Sequence, residues 1–329
     1  MDFHIDRFQY FDQKIFLHQC VEKNFFDFTE VLKKRKANFP NHYFIVTKNN
    51  KIEMLDSYLF NFIKFDYSNK VLNISINAQI NKPIYWIQIH NQKFSKVALC
   101  LAQGIEQTII HEELVGEKST SYLSVHNKGT LHYFNLVDSK TKQVFHKEID
   151  TCNYGKTFSW FMQKESNAIV KVDSKTKLFE GASSNIEIFN LVQEKQTRDD
   201  CCEIQHIEPH THSYVNYQTI NNGKAVSQIN SIIEKSSTDS ELVQKIKHIL
   251  TSDNAQSFSK PSLMIHAPTV ASHGNTISSF PEEWLFYLYQ KGITESKAKE
   301  IVKNSIVTSF CSNTPYESQF SAYLLGDSI

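Results

Sequence analysis

From about Val71 to Ile277 the chain runs in short stretches of alternating apolar and polar residues, almost without the three- and four-residue spacing of a helix. Leu72-Ile74-Ile76, Val97-Leu99-Leu101, Ile186-Ile188 and Leu263-Ile265 are representative. Gly104, Gly116, Gly129, Gly155, Gly181 and Gly223, or clusters of Asn, Asp, Ser and Lys, separate them. Many short strands at this spacing predict an all-β architecture. Alternation alone does not separate sandwich, barrel and solenoid. Two features favour a solenoid: about 200 residues of strand pattern without an obvious long hairpin, and sparing use of Asn-Gly or Asp-Gly tight turns. No clean repeat is visible in the sequence.

The flanks read differently. Phe25 to Lys36 predicts a helix with Phe28, Val31 and Leu32 on one face, and Tyr43–Val46 with Lys51–Met54 predict a hairpin around Asn49-Asn50. The early aromatics Phe3, Phe8, Tyr10, Phe11, Phe16, Phe25 and Phe26 predict a small satellite core. Beyond residue 280 a helical period returns. Ser279 and Glu282 have capping-box spacing with Pro281 in the first turn, and Trp284, Leu285 and Leu288 share a face. Gly292 is placed to end that helix in a left-handed cap, and Thr294 to begin the next. The second helix carries a stripe of Ala298, Ile301, Val302, Ser305 and Ile306, expected to be buried. Three regions result: a mixed helical segment over 1–70, a β core over 71–280 and a helical domain over 281–329.

Lys plus Arg and Asp plus Glu number 35 each, so no net field favours nucleic acid or an anionic membrane. The run Lys33-Lys34-Arg35-Lys36 is best read as complementing a helix C-terminus. No apolar run reaches the length of a membrane span, and the polar start is unlike a signal peptide, which together predict a cytoplasmic protein.

Cys20, Cys100, Cys152, Cys201, Cys202 and Cys311 form no Cys-x-x-Cys pair, and they read as ordinary reduced thiols. His206, His210 and His212 are close in sequence, and His210 and His212 would share a strand face, but Pro209 interrupts them; they read as polar core residues. Gly-x-Ser-x-Gly, the phosphate-cradling Gly-x-x-x-x-Gly-Lys-Ser/Thr loop and His-Glu-x-x-His are all missing, so a nucleophilic or hydrolytic enzyme is not expected.

The stretch Ser262–Phe310, SLMIHAPTVASHGNTISSFPEEWLFYLYQKGITESKAKEIVKNSIVTSF, places Ser272-His273-Gly274 at the end of a β-patterned segment, immediately before two amphipathic helices. That order resembles the C-terminal end of the SufB/SufD family, scaffolds of SUF iron–sulfur cluster assembly. Leu72–Ile87, Leu99–His111, His206–Gln218 and Ile249–His266 are similar to earlier segments of the SufD branch. The resemblance implies a right-handed parallel β-helix flanked by helical regions. It also implies a non-enzymatic scaffold that pairs with SufB, or with a second copy when alone, and docks the SufC ATPase, which would supply the ATP hydrolysis. His273 would serve cluster assembly at the SufB interface, with Ser272 and Gly274 beside it. A transient cluster would be shared with SufB and none held stably by the chain alone. Tyr289, Lys291, Gly292 and Ile293 would form the SufC docking turn. Against the family pattern, Ala271 stands where a Cys is usual, SSTDSELVQ replaces Gly-containing turns near 230–245, the N-terminal region is short, and the SufB assembly cysteine has no counterpart. These departures favour SufD over a SufB-like homodimeric scaffold. A β-helix enzyme acting on polysaccharide is the rival of another class, but the carboxylate cluster it needs is missing from the sequence.

Overall fold

The computed structural model describes residues 28–48, 51–68, 70–90, 94–115, 118–139, 144–164 and 168–326; the aromatic segment Phe3–Phe26 and Cys20 lie outside them. Its centre is a parallel β-solenoid of about seven turns. One wall is built from β4 (Val71–Ile76), β6 (Phe94–Leu101), β8 (Ser119–Asn127), β10 (Val144–Asn153), β12 (Ile169–Leu178), β14 (Thr197–His206), β16 (Lys224–Ile233) and β18 (Gln256–Ile265). The chain crosses after each of these to the other wall: β5 (Ile84–His90), β7 (Glu106–Val115), β9 (Thr130–Ser139), β11 (Lys156–Gln163), β13 (Ser183–Val192), β15 (His212–Asn221), β17 (Ser240–Leu250) and β19 (Thr269–Ser279). Neighbours within each wall are parallel and in unbroken register, as in β15 on β17.

Stacking in register aligns side chains of one parity across strands, so alternation along a strand becomes an inside and an outside of the coil. Residues of β8 and β16 accordingly alternate between buried and half-buried positions. The lumen is filled by Ile, Val and Leu, among them Leu123, Val170, Ile186, Ile204, Val215 and Ile246. The other wall shows a different pattern. β5 is buried at every position, and β7 nearly so, because its outer face is covered by helices. Tyr85, Phe134, Trp160 and Phe189 on that face pack against Phe310, Phe320, Tyr323 and Leu324. Strands buried on both faces read as continuous apolar runs instead of alternating ones.

The covering helices are α1 (Phe28–Asn38), α3 (Glu295–Cys311) and α4 (Glu317–Leu325); the shorter α2 (Glu282–Gln290) precedes α3. The Tyr323 hydroxyl donates to the Val137 carbonyl at 2.6 Å, fixing the last helix to the solenoid, and His42 meets the Tyr316 hydroxyl at 3.1 Å, joining the N-terminal segment to the C-terminal one. The basic run does more than complement a dipole. Arg35 is buried and grips Glu112 with two bonds, 2.8 and 2.5 Å, while Tyr85 donates to the same carboxylate at 2.9 Å. Burial disfavours the guanidinium charge, but Glu112 more than offsets it and raises the pKa.

A repeat absent from the overall pattern emerges in the turns. Asn127-Lys128-Gly129 and Asn153-Tyr154-Gly155 occupy equivalent corners after β8 and β10, and Asn221-Asn222-Gly223 forms the opposite corner after β15. Each Asn is buried, accepts from the Gly N–H two residues on (3.0, 3.2 and 2.8 Å), and donates to a carbonyl of a later segment: Lys156 (2.9 Å), Ser183 (2.8 Å) and Gln256 (2.8 Å). The side chain thus satisfies a turn donor and staples one coil to the next. In the SSTDSELVQ segment Asp239 takes the positive φ, +52°, that a glycine would otherwise supply. Thr211, Ser237 and Ser240 exchange hydroxyl bonds of 2.8 to 3.3 Å beneath it.

The two ends of the coil differ. At the N-terminal end β1 (Tyr43–Lys48) lies parallel on β5 and is closed off by the antiparallel β2 (Lys51–Leu55); the hairpin expected there is therefore part of the main sheet. The antiparallel β3 (Ile63–Ser68) closes the other wall, and Leu59 plugs the lumen from a short 3₁₀ turn over Ser57–Asn61. At the C-terminal end β18 and β19 are both edge strands.

Candidate functional site

The open C-terminal end is where the residues singled out from sequence come together. Register fixes which way they point. Ala271, His273, Asn275 and Ile277 pair with Leu242, Gln244, Ile246 and His248 of β17, all buried residues of the lumen. These four β19 side chains therefore face along the lumen's own line, and His273 is exposed because no further coil covers it. Ser272 and Gly274 pair with Val243 and Lys245 and belong to the outer face. On β18, Leu263 and Ile265 pair with Ser231 and Ile233 and complete the mouth.

This mouth is apolar and uncovered. Ile265 is 45% exposed and Ile277 45%, with Phe258 at 42%, Met264 at 39% and Val270 at 69% around the rim. A small cluster of Ile233, Leu242, Ala267, Leu263 and Ala271 forms its floor. Two parallel walls ending in unpaired edge strands present free backbone donors and acceptors to a third party, which natural sheets normally blunt. Pro261 sits in the middle of β18, a position a proline tolerates at a sheet edge. Adding a side chain at Gly274 meets nothing within 4 Å.

Below the mouth two histidines are buried and neutral. His206 is held by the Thr211 hydroxyl at 2.7 Å and the Ser213 hydroxyl at 2.8 Å, and His248 by the Ser227 hydroxyl at 2.8 Å. Burial pushes each down to about 4. A ring whose folded pKa lies below its unfolded value near 6.5 supports the fold fully above that value and loses this support as pH falls toward the folded one. The urea midpoint of the protein is expected to drop between pH 6.5 and 4, and a His206→Gln/His248→Gln variant to flatten that drop. An equally steep profile in the variant would assign the acid sensitivity elsewhere. His210 lies in a turn at φ +58°, and His212 is paired with Glu241 at 3.5 Å on the outside, so the three histidines do not converge.

The helical turn after the mouth has the expected left-handed cap, while the faces around it depart from expectation. Gly292 has φ +76°, its N–H bonds the Tyr289 carbonyl at 2.9 Å, and the Ile293 N–H bonds the Leu288 carbonyl at 3.1 Å: a Schellman cap in which Ile293 is half-buried. Pro281 takes the N-cap place of α2 because Ser279 is still in β19, and Thr294 takes that of α3 as expected, with no side-chain cap bond at either. Trp284 is 51% exposed rather than buried, and Ile301 and Ser305 are exposed, because the buried face of α3 runs through Ala298, Val302, Val307 and Phe310. α2 buries no residue fully; Leu285 and Leu288 alone lean on the core, while Phe286 and Tyr287 join Trp284 and Tyr289 on the surface. This aromatic surface was not legible as such, since a helical wheel does not reveal which neighbour is missing.

A cleft of about 640 Å³ lies away from the mouth, between the turns at Gln193 and Asn222 and the start of α3. Lys195, Lys299 and Lys303 line it together with Glu194 and Glu300, an excess of a single positive charge. Among the described residues no helix is long and apolar enough to cross a membrane.

A family model described as "SUF system FeS cluster assembly, SufBD core domain" matches residues 88–306, from β5 through most of α3. No curated protein matches the chain.

Proposed function

The chain belongs to the SufBD core-domain family of SUF iron–sulfur cluster assembly, and on that premise we propose that it is a SufD-type scaffold subunit without catalysis of its own, working in the cytoplasm. The observation that carries this reading is the one-sided solenoid: closed by antiparallel strands at one end, open and apolar at the other. The open end fits a partner of the same construction, SufB, whose last coil would continue both walls and cover His273, Ile265 and Ile277. A lone imidazole is a good borderline ligand for ferrous iron but cannot hold a cluster by itself, so any cluster at His273 draws its thiolates from the partner. No Cys occurs between Gln256 and Ser279, which supports SufD over a SufB-like homodimer carrying its own cluster ligands. The family match leaves the polysaccharide-active alternative without support.

SufC is assigned to α2 and the turn after it. Trp284, Phe286, Tyr287 and Tyr289 form an exposed aromatic surface of the kind that anchors interfaces, with Lys291 5.6 Å over the Tyr287 ring, and Gly292 and Ile293 completing the turn. Cutting the chain at Pro281 would not test this, because it strips α3 and α4 from the apolar wall. Point substitutions separate the two surfaces. Phe286→Ala/Tyr289→Ala is expected to lose SufC from affinity-purified complex while SufB remains; Val270→Lys/Ile277→Glu is expected to lose SufB. His273→Ala, on an exposed site, should change stability by less than about 1 kcal/mol yet lower the iron and sulfide held by the complex. Retention of both partners by both variants would overturn the assignment, and a chain that purifies only as a pair of itself would favour the homodimer.

A further inference from the structure

The bare wall of the solenoid carries a second group of metal-binding side chains that the assembly reading does not use. Cys100 of β6, His126 of β8 and Cys152 of β10 are direct lateral partners: Cys100 pairs with His126, and His126 with Cys152. All three occupy outward, half-buried positions of their strands. They therefore stand side by side on one surface, although 26 residues separate successive members in the chain.

We propose that His126 and Cys152 bind a soft or borderline transition-metal ion of the ferrous, zinc or cuprous kind, with Cys100 as an alternative thiolate on the other side of the imidazole. Neighbouring strands lie about 4.8 Å apart, so an ion can take the His126 ring nitrogen and one flanking sulfur at bonds of roughly 2.0 to 2.3 Å. The two sulfurs stand two strand spacings apart. At about 9 to 10 Å between Cα atoms they are too far for a disulfide, which needs less than about 7 Å. They are also too far to close on one ion together, and among the described residues no three His, Cys, Asp or Glu side chains could hold a single ion. Each bound ion thus has two protein ligands and open positions, the arrangement of a site that takes up and releases metal instead of burying it.

The neighbours favour Cys152. The ring of His126 packs against Tyr154, which follows Cys152 by two residues, so the imidazole lies toward that strand. Cys100 instead has Ser75 as its lateral partner on β4 and shares a side-chain hydrogen bond with it. The His126 ring lies against Tyr154, centroids 5.0 Å apart, and Tyr154 is itself stacked on Phe179 at 4.2 Å. That aromatic wall limits where the imidazole can swing. On binding, the Cys152 thiol proton passes to solvent and the sulfur–metal bond replaces it, with no change of oxidation state.

This inference does not depend on the SufB and SufC assignments, and its test uses the purified full-length chain alone. Cobalt(II) is the probe. The wild-type chain is expected to develop a thiolate-to-cobalt charge-transfer absorption that zinc displaces. Cys152→Ser and His126→Ala should each weaken cobalt binding by at least about tenfold, the Cys152→Ser/His126→Ala variant should lose the absorption, and Cys100→Ser should shift affinity by no more than about threefold. Unchanged circular dichroism spectra separate loss of ligands from loss of fold. Absence of the absorption in the wild type, or its persistence in the double variant, would overturn the proposal while leaving the partner assignments intact.

Discussion

Gly155→Ala is expected to be among the most damaging single substitutions in the chain. A Cβ at Gly155 would lie 2.1 Å from the Gly129 carbonyl oxygen and 3.0 Å from its carbonyl carbon, and a Cβ at Gly129 would lie 2.1 Å from the Ile105 carbonyl oxygen. These obstacles are backbone of the preceding coil, held by the Lys156 N–H bond to the Gly129 carbonyl at 2.8 Å, so no rotamer change relieves the clash. The coils would have to part at that corner, breaking the Asn127 bridges to Asn153, Lys156 and Thr157 as well. A loss on the order of 3 kcal/mol or more is expected, read as a fall in the urea midpoint. Gly274→Ala is the control: with nothing within 4 Å, it should stay within about 0.5 kcal/mol of wild type. Equal behaviour of the two variants would show that the corner is not close-packed.

Lys147→Met is the second large effect. Lys147 and Glu113 are both fully buried and bond at 2.5 Å; His90 and Asn135 complete the carboxylate's partners at 3.1 and 2.9 Å. Burial by itself would raise Glu113, but Lys147, His111 and His90 outweigh it and hold the carboxylate well below its usual range. Burial likewise lowers Lys147 against the pull of Glu113. Removing the ammonium strands a carboxylate in the lumen, which costs about 3 to 5 kcal/mol, whereas removing both charges is often close to neutral. Glu113→Gln/Lys147→Met should therefore recover much of the stability lost by Lys147→Met alone. A Lys147→Met protein within about 1 kcal/mol of wild type would mean that the pair contributes little.

Much of this architecture is written locally. Alternation in Leu72-Ile74-Ile76 or Val97-Leu99-Leu101 marks strands with one face inside, and the return of helical spacing after residue 280 marks the cover. Less visible is the periodic device. Asn-x-Gly recurs at 127, 153 and 221, but that the first two share a register while the third turns the opposite corner, after β15, emerges only when strands are aligned. Arg35 shows another limit: a basic run at a helix end reads as surface charge, and only the fold brings Glu112, 77 residues away, beneath it. For the candidate site, the Ser-His-Gly segment pointed to His273, yet its place in line with the lumen follows from pairing with Gln244, a partner no local pattern names. Trp284 and Ile301 are exposed for the converse reason, since apolar spacing predicts a face but not whether anything lies opposite it. The Cys100, His126 and Cys152 row is invisible to spacing rules because its members are neighbours across strands and distant along the chain.

The unequal ends of the coil set an upper limit on assembly. A parallel solenoid with two open ends can add copies indefinitely, head to tail, into a fibre. Here β2 and β3 run antiparallel to their walls and, with the Leu59 plug, end the parallel coil on that side. A partner that continues the parallel walls would do so at β18 and β19, mouth against mouth, and among the described residues only the antiparallel edges of β2 and β3 would then face outward. A parallel coil extended this way would hold two members, so the geometry that invites association would also count it.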